Sequence, residues 1–198
     1  MLGIYAGLLG MLHGYFEIQQ GNAAPAGLLI HAIGAPCQAD DVWHACLPAL
    51  TILPSYLITG ILAILSGICM LVWAAFFIQG RNGGLILILL SSVLFLVGGG
   101  FVSAFIGVLA GATASRIHAR LTWWRKRLNF MLMPLSLSWP WAALLLILWF
   151  PGAWLLGSFL NQTMLDLSIP LFLFFDLGLP VLVMLSGIAS DNRRIRII

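Results

Sequence analysis

A chain of 198 residues that is 62% hydrophobic and only 8% charged cannot cover a water-facing surface, since a soluble domain carries about a quarter charged residues. Its solvent is lipid, and its apolar runs are continuous rather than alternating, so membrane helices are expected and a β-barrel is not. The net charge of +3 lies in clusters beside apolar segments, a pattern of membrane orientation rather than of nucleic-acid binding. The expected fold is an all-α integral membrane protein, one domain over 1–198 with about five to six transmembrane segments.

The first segment runs from about Leu2 to Ile18. No basic stretch precedes it and no small-residue cleavage site follows, so it reads as a retained helix rather than a signal peptide. Gly3, Gly7, Gly10 and Gly14 are spaced four, three and four apart. At about 100° per residue they form one stripe, the kind of face on which helix backbones approach closely in lipid. His13 and Glu17 lie beside that stripe, four residues apart and therefore on one face. They could form a proton relay or supply two metal ligands. The plainer reading, favoured because Glu17 is near the segment's end, is an interfacial pair that anchors the helix.

The first loop, 19–48, holds His31, Cys37, Asp40, Asp41, His44 and Cys46. Eight residues separate the two cysteines, and no Lys or Arg lies between them. If this loop is external, a structural disulfide between Cys37 and Cys46 is the simplest expectation. A metal site using His31, His44, Asp40 and Asp41 is the sharper alternative, and a redox-active pair is a third. The spacing matches no established zinc pattern. The small bundle with loop cysteines resembles quinone-linked thiol oxidoreductases of the vitamin K epoxide reductase type in outline only. Their membrane-embedded CxxC is absent here, so the resemblance implies no activity.

The second segment spans about Ala49 to Ile78, with Ser55, Thr59, Ser66 and Cys69 grouped on one face. Cys69 is expected to be a buried packing residue. The apolar run from Leu85 to about Ala114 is interrupted by Gly98, Gly99 and Gly100. Each glycine costs about 1 kcal/mol in a helix interior relative to alanine. Three together favour a break, with two half-depth or tilted helices joined there, over one long span. A further small-residue stripe, Gly100, Ala104, Gly107 and Gly111, reads as a packing face.

The basic stretch at 115–128 carries Arg116, Arg120, Arg125, Lys126 and Arg127, together with Trp123 and Trp124. It reads as a cytoplasmic topology anchor. The fourth segment lies within Leu128 to Phe159 and contains Pro134, Pro140 and Pro151. Asn161-Gln162-Thr163 fits a glycosylation sequon, a pattern common by chance. The fifth segment runs from about Leu167 to Ser190 and places Asp176 deep in apolar sequence, sharing a face with Pro180, Val183 and Gly187. A carboxyl group there must be protonated, paired or hydrated. Two roles stand level: handling a proton or cation, and a hydrogen bond between helices.

Arg193, Arg194 and Arg196 close the chain, so two clusters hold eight of the nine Lys and Arg, and Arg81 is the ninth. If Leu85–Ala114 enters and returns, all nine lie on the cytoplasmic side, with both termini cytoplasmic and the first loop external. A plasma or inner membrane is the expected location. No nucleotide-binding, HExxH or nucleophile-elbow motif occurs, so no cofactor is assigned and an enzyme is the lesser expectation. Three functions remain open: handling of a small solute, proton or ion; an accessory subunit that meets a membrane-protein partner or a second copy through its glycine faces; and a membrane redox or metal enzyme using the first loop. The lipid bilayer is the one partner in all three, and nucleic acid is in none.

Overall fold

A computed structural model describes residues 1–31, 48–116 and 129–194, with side chains over 1–30, 48–116 and 133–191. The described chain is mostly helical. Helix α1 (Leu2–Gln19) is followed by a small antiparallel hairpin of β1 (Leu29–His31) and β2 (Pro48–Leu50), pairing Leu29 with Leu50 and Ile30 with Ala49. Then come α2 (Tyr56–Phe76), α3 (Gly83–Leu96), α4 (Phe101–Ala114), α5 (Asn129–Phe159) and α6 (Asn161–Asp166). The last stretch is α7 (Ser168–Leu171), a π-helical segment (Phe172–Gly178) and α8 (Leu179–Arg194).

Three of these helical stretches, Tyr56–Phe76, Met133–Phe159 and Ser168–Asp191, are long and apolar enough to cross a membrane, so the expected five to six spans reduce to three by this measure. The difference has physical causes. Helices α3 and α4 have 14 residues each, about 21 Å at 1.5 Å per residue, against a hydrocarbon core of about 30 Å. Helix α1 has 18 residues, but His13, Glu17 and its glycines dilute its apolar content. The prolines of α5 lie inside a continuous helix, as lipid-embedded helices tolerate.

Helix α1 is the hub. A Cβ on Gly7 would lie 2.7 Å from Gly67 O, and one on Gly14 would lie 2.6 Å from Gly60 O, so α1 and α2 meet backbone to backbone. Gly10 accommodates Leu94 of α3, and Gly3 accommodates Leu87. The partner glycines Gly60 and Gly67 complete a face of which sequence reading singled out only one side. Because Gly3 meets Ala74 while Gly14 meets Gly60, the two helices run antiparallel. This closeness supplies the dispersion contacts that hold helices together in lipid, where hydrophobicity offers no preference.

The core forms two clusters. Ala6, Leu9, Met70, Leu87, Leu94, Val102 and Ile106 join α1 to α4; Ala142, Leu146, Trp149, Ala153, Met164, Leu179 and Val183 join α5, α6 and α8. Leu2 and Tyr5 pack against both, and the Tyr5 hydroxyl donates to Leu146 O at 2.8 Å. Cys69 is exposed, which corrects the expectation that it is buried. At 100° per residue it points about 140° from the centre of the buried face made by Gly60, Ala63, Gly67 and Met70.

Candidate functional site

Helix α3 ends at Leu96 and α4 begins at Phe101. The intervening residues close α3 in a Schellman arrangement: Gly98 has φ +90° and the Gly99 N–H donates to Leu94 O at 2.8 Å. Gly100, with φ 85° and ψ 146°, caps α4 in a conformation that side chains other than hydrogen rarely permit. The chain then doubles back. Gly84 at the start of α3 lies against Gly111 and Ser115 at the end of α4, and Gly107 lies against Ser91. Arg81 and Arg116 consequently sit at one end of this helical hairpin and the glycine turn at the other.

The stretch between β2 and α2 closes over that turn. Thr51 forms an antiparallel bridge with Val97, and the Ile52 N–H donates to Leu96 O at 3.2 Å, satisfying a carbonyl at the end of α3. The Thr51 and Thr59 hydroxyls are 3.0 Å apart, and Thr51 Oγ1 accepts from the Leu53 N–H. Ser103 Oγ, one turn into α4, reaches back to Gly99 O and Gly100 O, the latter at 2.8 Å. Ser55 and Asn22 add a further hydrogen bond, at 2.6 Å, on the same side of the molecule.

Beneath the turn lie His13 and Glu17. A Cβ on Gly98 would sit 2.5 and 2.7 Å from the two carboxyl oxygens of Glu17, and one on Gly100 would sit 2.6 Å from His13 Nε2. The turn is thus laid directly on two ionisable side chains, which its glycines make possible. Glu17 is 0% exposed and His13 7%. His13 Nδ1 and both Glu17 oxygens have no hydrogen-bond partner among the described residues. Glu17 therefore does not reach outward as an interfacial anchor. A small cavity, with about 10 Å³ of room for the centre of a water-sized sphere, borders His13, Leu9, Pro48, Val102, Ser103 and Phe150. That volume is about enough for one water.

Asp176 lies elsewhere, in the π-helical segment, and is 4% exposed. Trp149 Nε1 of α5 donates to Asp176 Oδ1 at 2.8 Å, while the Trp149 ring stacks on Phe175 with centroids 4.0 Å apart. The local geometry follows from Pro180, which has no N–H to return to the carbonyl of Asp176. The Leu179 N–H bonds instead to Phe174 O, five residues back, which is the π-helical register. Asp176 thus occupies a tie between α5 and the last helical stretch, away from His13 and Glu17.

His31 ends β1, and its backbone pairs with Pro48. Cys37, Asp40, Asp41, His44 and Cys46 lie outside the described residues, so neither the disulfide nor the metal expectation is met by a described geometry. Among the described residues no group of three or more His, Cys, Asp or Glu is placed to hold a metal ion. Sequence reading singled out His13, Glu17, Gly98, Gly99, Gly100 and Asp176 separately; the structure brings the first five together. It passed over Thr51, Ser103 and Trp149. No protein-family model, curated protein or solved structure matches the chain.

Proposed function

We propose that this is a small multi-pass membrane protein that passes a proton, or a small cation or solute coupled to one, through the site beneath the glycine turn. One observation carries the reading. A fully buried carboxyl group and a buried imidazole, one helical turn apart, face the turn with three polar atoms unpartnered among the described residues. Such groups are costly at membrane depth and are retained where they exchange a proton or a cation. Backbone that leaves the helix at depth is tolerated where protein or a water-filled cavity surrounds it. The Val97–Gly100 turn, closed by Thr51 and Ile52, fits that condition. In this reading the α3–α4 hairpin enters the membrane and returns, and Thr51 and Ile52 close the turn on the external side.

Glu17 is assigned the exchanging role and His13 the neighbouring relay. Asp176 is assigned to the tie with Trp149, because its carboxyl already has a donor and lies in the other core cluster. The accessory-subunit reading is weaker on the structure's own terms. The glycine faces that would meet a partner, Gly3 to Gly14 and Gly107 to Gly111, are filled by α2 and α3 of the same chain.

The test is flux in sealed vesicles. Purified protein reconstituted with a trapped pH-sensitive dye should dissipate an imposed pH gradient faster than empty vesicles. Glu17→Gln, which keeps the shape, should abolish that difference. Equal rates for the wild type and Glu17→Gln, at equal incorporation, would remove the assignment.

A further inference from the structure

A metal cation that leaves water must find oxygen ligands to replace its hydration shell. Around Glu17 and His13 those oxygens are already engaged. Leu94 O accepts from the Gly99 N–H and Leu96 O from the Ile52 N–H, while Gly100 O accepts from both the Ala104 N–H and the Ser103 hydroxyl. Thr51 Oγ1 accepts from the Leu53 N–H and is bonded to Thr59 Oγ1. The Glu17 carboxyl meets the Thr59 methyl group and the Gly98 backbone at one spot, so its nearest neighbours there are carbon. Among the described residues no third His, Cys, Asp or Glu joins the pair to make a metal site. We infer that the species passed is the proton alone, moving as a net charge between Glu17, His13 and one water in the cavity that borders His13 and Ser103. This rests on the reading above that the site conducts, and it narrows what is conducted.

The same geometry suits a proton well. A proton needs one lone pair at a time and no coordination shell. Both Glu17 oxygens and His13 Nδ1 are buried without a partner among the described residues, so each can give or take one. The cavity has room for about one water, too little for a hydrated cation. Ser103 directs its hydroxyl hydrogen to carbonyls of the turn, so its oxygen can accept from that water. The water would then be held in place with its lone pairs left for the imidazole. Protons balance at each step. Glu17 gives one up as His13 takes one on a ring nitrogen. The imidazole releases one from its other nitrogen to the water, returning to neutral in the other tautomer. No counter-ion travels with the charge, so the transfer is electrogenic.

The experiment uses the whole protein in phosphatidylcholine vesicles with a trapped pH-sensitive dye and equal pH on both sides. Valinomycin and a potassium gradient, high inside, set an inside-negative potential. A proton moving alone comes to balance when its own ratio matches that of potassium, so a gradient of about tenfold should acidify the lumen by about one pH unit. The wild type should approach that limit at one rate whether the external salt is choline, sodium or lithium chloride. Glu17→Gln should be no faster than empty vesicles. Without valinomycin, a sodium, lithium or potassium gradient should leave the lumen pH unchanged. A pH change driven by one of those gradients in the wild type and lost in Glu17→Gln would overturn the inference, leaving a cation-coupled site. A pH gradient that collapses through Glu17 while the potential drives nothing would overturn it as well, because a second ion must then compensate the charge. No Glu17-dependent movement in any arm would remove this inference and the proposed function together.

Discussion

Gly98 and Gly100 do two things at once: each adopts a positive φ and each lets the backbone rest on an ionisable side chain. Gly98→Ala should therefore destabilise the protein by about 1–3 kcal/mol from the backbone conformation alone, with the collision against Glu17 and Thr59 adding to it. Gly152→Ala is the control, since no atom lies within 4 Å of its Cβ position and its φ is ordinary; that change should be neutral or slightly stabilising. Thermal unfolding in detergent separates the two, and equal melting for both variants would disprove the role given to the turn. Asp176 permits a second comparison. Asp176→Asn keeps an oxygen for Trp149 Nε1, whereas Asp176→Leu loses a buried hydrogen bond and should cost about 1–3 kcal/mol. Both residues were visible in sequence, Gly98 by its place in a triple glycine and Asp176 by its apolar surroundings. Their contacts were not. Nothing near position 98 says that residue 17 lies beneath it, and nothing near position 176 selects Trp149 among eight tryptophans.

What joins those distant positions is the register between helices. The α1–α2 contact is set by four glycines in reciprocal pairs, Gly7 with Gly67 and Gly14 with Gly60, and that contact fixes the height of His13 and Glu17 against Thr59 and the turn. The α1 stripe was legible because four glycines repeat at helical spacing. The α2 side was not, because Gly60 and Gly67 are only two positions and Ser55, Thr59, Ser66 and Cys69 drew attention to a different face. A helix boundary can be read locally, whereas a register is a property of two surfaces. Gly60→Leu tests this. Its side chain would press on Gly14 O and Ile18, where backbone cannot move aside as a side chain can. The expected loss is at least the 1–3 kcal/mol typical of overpacking, together with a shift of Glu17 relative to the turn. Unfolding by a denaturing detergent measures the first. Unchanged stability would mean that α1 and α2 are not held by these glycines.

For the molecule as a whole, the question is which end faces which compartment. The α3–α4 hairpin places Arg81 and Arg116 at one end, while the glycine turn, Thr51 and the β1–β2 hairpin lie at the other. A single long span through Leu85–Ala114 would have put Arg81 and Arg116 at opposite ends. With the hairpin, positive-inside asymmetry acts in one direction: Arg81 and Arg116 share an end, so all nine basic residues can lie in the cytoplasm. If they do, the first loop faces outward, and with it Cys37 and Cys46. This predicts a specific labelling pattern in intact cells. After mild reduction, a membrane-impermeant thiol reagent should modify Cys37 and Cys46, while cysteines introduced as Arg81→Cys and Arg116→Cys should react only after lysis. Arg81→Cys is the deciding position, because it is external in a single-span arrangement and internal in a hairpin. Labelling of Arg81→Cys in intact cells would reverse the assignment of the loop. It would also place the His13–Glu17 site at the cytoplasmic end, so that any flux through it would have to be drawn in the opposite sense.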